Sequence, residues 1–123
     1  MMSEDTQLPP QIQEDLVRLQ QLQQTLQVVV TQKQQLEIEL SEAEKALSEL
    51  EKITDDVPVY KSVGSILLKT DRQGLMSELK EKKELTNTRV TVLRKQEERT
   101  RERLKELRDR LQQRLKTSGA TGS

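Results

Sequence analysis

Val57-Pro58-Val59-Tyr60-Lys61-Ser62-Val63-Gly64-Ser65-Ile66-Leu67-Leu68-Lys69-Thr70-Asp71 is the stretch that decides the fold. It is rich in β-branched residues and holds Tyr60, the single aromatic of the 123-residue chain. Two apolar runs meet at Gly64-Ser65, which predicts a β-hairpin with glycine at the first central turn position. With the turn there, Val63 faces Ile66, Lys61 faces Leu68 and Val59 faces Thr70. Side chains alternate across a strand, so Val59, Val63, Ile66 and Leu68 share one face, with Tyr60 and Leu67 on the other. A lone two-stranded hairpin is marginal in water, and the expectation is that other chains complete this one.

Outward from the hairpin lie two arms of similar length. Pro9-Pro10 can open a helix, because proline in the first turn forfeits no hydrogen bond. From there to about Ile53 neither Gly nor Pro interrupts. Leu19, Leu22, Leu26, Val29, Lys33, Leu36, Leu40, Ala43, Leu47 and Leu50 follow in alternating steps of three and four, the mark of a coiled-coil seam. Ile12 and Leu16 read as out of phase with it. After Asp71, a candidate N-cap, a second seam runs through Met76, Leu79, Lys83, Thr86, Val90, Leu93, Glu97, Thr100, Leu104, Leu107, Leu111 and Arg114.

Folding the chain back at the hairpin pairs Leu50 with Leu79, Leu40 with Val90, Leu26 with Leu104 and Leu19 with Leu111. These residue numbers sum to 129 or 130, the same axis as the turn. The predicted fold is mainly α: a long antiparallel coiled-coil hairpin with a central β-hairpin that completes a β-barrel in an oligomer. One domain, residues 1–123, comprises a first helix over 10–53, the β-hairpin over 57–70, a second helix over 71–116 and a flexible tail over 117–123.

Composition narrows the function. Hydrophobic residues are 32% and charged residues 34%, without Phe, Trp, Cys or His, which suits long helices better than a compact globule. Lacking His and Cys, the chain offers no usual general base, thiol nucleophile or soft metal ligand, and no phosphate-cradling Gly-rich loop is present. The expectation is a protein that is no enzyme and needs no cofactor or metal. No apolar run approaches the roughly 20 residues of a membrane span. Met1-Met2-Ser3-Glu4-Asp5 lacks the regions of a signal peptide, so a cytoplasmic location is expected.

Charge is zero overall but uneven. Residues 1–58 carry 4 basic and 12 acidic side chains, and residues 89–123 carry 11 basic and 5 acidic. An acidic helix beside a basic one accounts for this without nucleic acid, since acids interleave the arginines and no aromatics are there to stack on bases. At the far ends, Leu8, Ile12 and Leu16 on one arm and Leu111 and Leu115 on the other admit two readings. They close the last turns of the coiled coil, or they leave an apolar patch for holding other apolar chains.

The run from Val59 to Asp71 resembles the hairpin signature of the β-type prefoldin subunits. So do Leu19-Gln20-Gln21-Leu22-Gln23-Gln24 in the first arm and Arg94-Lys95-Gln96-Glu97-Glu98-Arg99 in the second. The resemblance implies a hexamer of two α-type and four β-type subunits whose hairpins form central β-barrels. It also implies an ATP-independent chaperone whose coiled-coil tips hold unfolded client proteins and pass them to a group II chaperonin. Carried over by position, Val59, Tyr60, Val63, Ile66, Leu67 and Leu68 become oligomerisation residues. Leu8, Ile12, Leu16, Leu111 and Leu115 become client contacts, and Arg110, Arg114 and Lys116 chaperonin-docking residues. The alternative is a structural coiled-coil adaptor that spaces two protein partners.

Overall fold

The computed structural model of the chain describes residues 8–118. Helix α1 (Pro10–Glu51), strands β1 (Val59–Val63) and β2 (Ile66–Thr70) and helix α2 (Arg72–Ser118) follow in order. They are distributed over two compact units. The hairpin unit is Gln32–Leu93, and the terminal unit comprises the residues up to Thr31 and from Arg94 onward.

The helix ends are set by local hydrogen bonds. The Pro9 carbonyl accepts from the N–H groups of Ile12 and Gln13 at 3.0 and 3.1 Å, so α1 begins at the prolines as the sequence suggests. It ends at Glu51, two residues short of Ile53, because the N–H groups of Lys52 and Ile53 turn to the carbonyls of Glu49 and Leu50. These tighter i→i+3 bonds close the last turn. At the start of α2, Asp71 is the N-cap: its Oδ2 accepts the Gly74 N–H at 2.8 Å. A Cβ on Gly74 would lie 2.9 Å from Asp71 Oδ1, so glycine lets the carboxylate close over the first turn. The far end of α2 passes Lys116 and reaches Ser118, and the Thr117 hydroxyl donates to the Gln113 carbonyl at 2.6 Å. Thr117 and Ser118 are therefore helical, in place of the tail expected from residue 117. The remaining tail residues, 119–123, lie outside the described residues, as do 1–7.

In the hairpin unit β1 and β2 pair antiparallel, with Val59 opposite Thr70, Lys61 opposite Leu68 and Val63 opposite Ile66. This is the register that the turn position predicts. Gly64 has φ 59°, and among the described residues no non-glycine residue has a positive φ, so the turn is type II′ rather than I′. Leu47, Leu50, Val59 and Met76 form a buried cluster, against which Ile53, Leu75 and Leu79 pack. Farther along, Val90 is fully buried, and Leu36 and Leu93 line one groove. Rising numbers on α1 meet falling numbers on α2, so the segments run antiparallel. Lys83 is the one exposed member of the two seams, and it borders an open groove of about 420 Å³ with Leu47. A lysine stem can lie along such apolar surface while its ammonium stays in water.

The terminal unit is antiparallel too. Leu22 and Leu107 line a common groove, and Asp15 pairs with Arg114. Ile12, Val29, Leu104, Leu107 and Leu111 are buried. Among the described residues, no buried polar side-chain atom lacks a hydrogen-bond partner.

Two substitutions probe these local determinants. Gly64→Ala places a Cβ in the left-handed region and should cost about 1–2 kcal/mol. Asp71→Ala removes the cap and should cost about 1 kcal/mol. In urea titrations followed by circular dichroism, both should lower the midpoint and leave the slope unchanged.

Candidate functional site

The hairpin exposes apolar side chains on both faces. Leu67 is 71% exposed, and Tyr60, Val63, Ile66 and Leu68 are exposed as well. Of the six residues singled out in the sequence for oligomerisation, only Val59 is buried, at 8% exposure within the Leu47–Leu50–Met76 cluster. The pleat explains the arrangement. Val59 sits at the base of one face and reaches the helices, whereas Val63, Ile66 and Leu68 on that same face extend past them. Tyr60 and Leu67 look out from the other face.

Four polar contacts lie on and beside the base of this sheet. The Arg72 Nε donates to the Leu50 carbonyl at 2.6 Å, which caps the end of α1 from the start of α2. The same guanidinium donates through Nη1 to Asp55 Oδ1 at 3.0 Å, and Gln73 Nε2 donates to that oxygen at 3.1 Å. Hydrogen bonds from Arg72 and then Gln73, with the charge of Arg72, hold the Asp55 carboxyl below its ordinary value of 3.8 against an opposing desolvation. Lys61 on β1 meets Glu78 on α2 at 2.8 Å, an exposed pair that contributes at most about 1 kcal/mol. Periodicity could not reveal the Arg72 clamp, because it ties a loop to two helix ends.

The terminal unit carries the other candidate residues. Ile12 and Leu111 are buried, Leu8 and Leu115 are half-buried, and Leu16 is exposed. Leu16 is not the seam residue. The seam continues from Leu19 back through Asp15 and Ile12 to Leu8, in steps of four, three and four, and Asp15 is only 4% exposed. Ile12 is thus in phase, contrary to the sequence reading, which stepped to the apolar Leu16 instead of the charged Asp15. Allowing a charge at a seam position, as for Lys33, would have found it. Val17, exposed beside Leu16, was also missed; it lines a shallow groove of about 480 Å³ with Pro10, Gln13, Glu14, Arg18 and Gln21. Arg114 meets Asp15 Oδ2 at 2.5 Å and Arg110 meets Oδ1 at 3.6 Å, while Lys116 is exposed.

Among the described residues, no group of three or more His, Cys, Asp or Glu could hold a metal ion. No described helix is long and apolar enough to cross a membrane. The family described as prefoldin subunit matches residues 13–118, nearly the whole described chain. The chain belongs to the prefoldin family.

Among its prefoldin relatives, "Prefoldin subunit beta" of Methanothrix thermoacetophila is 50% identical over 108 residues, covering 88% of this chain and 90% of the relative. "Prefoldin subunit beta" of Archaeoglobus fulgidus is 50% identical over 105 residues, covering 85% and 90%. A crystal structure of the prefoldin beta subunit from Thermococcus strain KS-1 superposes with a TM-score of 0.79 at 45% identity, covering 89% of this chain and 96% of that one. Two long helices around a two-stranded antiparallel hairpin are thus a prefoldin arrangement. The family match takes in the hairpin and Leu16, Leu111 and Leu115, whereas Leu8 and Ile12 precede it.

The Asp55 clamp gives a pH prediction. A carboxyl whose pKa is lowered by folding adds stability above its unfolded pKa, and that stability is lost as pH falls through the folded value. Between about pH 5 and pH 3 the urea midpoint should fall less in Asp55→Asn than in the parent chain. Equal slopes against pH would show that the clamp does not couple to folding.

Proposed function

We propose that this chain is the β-type subunit of a hetero-oligomeric holding chaperone. Its hairpin joins an α-type subunit and further β-type copies, two α and four β in all. The terminal ends of its helices hold unfolded client proteins and pass them to a group II chaperonin without nucleotide hydrolysis. The work would be done in the cytoplasm, and it requires neither catalysis nor a cofactor.

The observation that carries this reading is the two-faced apolar hairpin. Five large apolar residues stand exposed on ten strand residues, and among the described residues no third strand pairs with either edge. Such edges recruit strands from other chains. Covering one of these side chains is worth roughly 1.5–3 kcal/mol, so the set is enough to drive assembly. Leu16 and Val17 supply exposed apolar surface in the terminal unit, and half-buried Leu8 and Leu115 add to it. Lys116 and the half-exposed Arg110 supply positive charge for docking, with Arg114 more tightly engaged by Asp15. Holding by several such arms multiplies weak contacts through effective concentration, and each contact stays releasable.

Native mass spectrometry with and without an α-type partner tests assembly. The wild-type mixture should give the hexamer mass. Leu67→Glu, at an exposed position, should leave the helix content of the chain unchanged and abolish the hexamer. Light scattering of a denatured client tests holding. The Leu16→Glu, Val17→Glu double variant should assemble normally and suppress aggregation several-fold less. Suppression unaffected by these changes would favour an adaptor that merely spaces partners.

A further inference from the structure

Asp15 is the one charged side chain that is buried among the described residues. It occupies a seam position with apolar Ile12 and Leu19 on either side. Its two oxygens take Arg114 at 2.5 Å and Arg110 at 3.6 Å. The partners are unequal in burial: the Asp15 side chain is 5% exposed, that of Arg114 34% and that of Arg110 48%. The arginines thus keep contact with water while the carboxylate has almost none.

That asymmetry has an energetic meaning. Closing the helices over a carboxylate strips its hydration, and a pair of part-exposed arginines returns only part of that cost. An apolar residue at the same position would gain from closure. When the helices separate, Asp15 and both arginines recover full hydration, whereas an apolar step loses its burial outright. Opening is therefore easier at Asp15 than at the neighbouring apolar steps.

We infer that Asp15, Arg110 and Arg114 form a releasable latch for the end of the helix pair. The arginines hold the segment shut, and the buried carboxylate keeps it openable. Ile12 lies one seam step from Asp15, and Leu111 one seam step from Arg114. Both are buried, so they meet another molecule only when the latch releases. Asp15 acts as a positioning residue that governs access to these two side chains. Their use as client contacts rests on the holding function proposed above; the latch itself does not.

Hydrogen exchange followed by mass spectrometry, on the full chain assembled with its α-type partner, tests the latch. Asp15→Leu completes an apolar seam and should slow exchange in residues 12–22 and 104–116 about tenfold. Arg114→Leu strands the buried carboxylate and should speed exchange there about tenfold. Both should leave residues 40–90 unchanged. If Asp15→Leu speeds exchange as Arg114→Leu does, or unfolds the terminal unit, the pair is simple glue and the latch is refuted. No change in either variant refutes it equally.

A second readout separates access from structure. Tightening a merely structural contact would leave client holding intact or improve it. Under the latch, Asp15→Leu suppresses client aggregation several-fold less than the wild type while its terminal unit is better protected. Slowed exchange with full suppression would uphold the latch and overturn the role of Ile12 and Leu111 in holding. If the wild-type assembly suppresses nothing, the holding function fails and exchange alone decides the latch.

Discussion

A two-stranded sheet can bury apolar side chains against its own chain on one face at most, and only as far as the supporting helices reach. Here that reach ends at Val59, which joins Leu47, Leu50 and Met76. Beyond it the strands carry Val63, Ile66 and Leu68 on one face and Tyr60 and Leu67 on the other, all exposed. The rest of the hairpin unit fixes where this surface is presented. Val59 anchors the first strand, Lys61 ties it to Glu78, and Arg72 joins the end of α1 to the loop before β1. The sheet is rigidly based and apolar past its base, which is the physical requirement for joining other chains.

The helices meet a different constraint. With no Phe or Trp, their buried apolar residues are Leu, Val, Ile, Ala and Met. Among the described residues, Val90 alone is completely buried. Polar residues enter this seam where they can be satisfied. Thr100 is buried because its hydroxyl donates to the Gln96 carbonyl one turn back, at 2.8 Å. Lys83 reaches solvent past Leu47, and Asp15 takes two arginines. Each polar step gives up apolar burial, so cohesion varies along the helices instead of being uniform.

Much of this was readable in advance, for definite reasons. A glycine that needs a positive φ sets the turn, and the turn sets the register, so all three predicted strand pairs are found. The alternation of three and four marks the buried faces of both helices because burial follows helical geometry closely. The failures are equally instructive. Leu16 is out of phase as the sequence indicates, but Ile12 is in phase, because the seam steps back from Leu19 to the charged Asp15 and hydrophobicity alone passes that position over. The helix ends were misjudged by about two residues because the closing bonds at Lys52 and Ile53 and the continued turn at Thr117 depend on local hydrogen bonding. The Arg72–Asp55 clamp joins residues 17 apart that share no periodic pattern. The hairpin register was legible down to the residue, whereas the terminal unit was legible only in outline.

Tyr60 gives the molecule an unusual optical property. It is the only aromatic ring in the chain, and it stands 57% exposed on the outer face of the sheet. Near-ultraviolet side-chain absorption and intrinsic emission therefore originate at that strand, and the helices are silent there. Any change in the polarity or rigidity around that phenol registers without an added dye, so the chain carries its own label on the surface where neighbours would meet it.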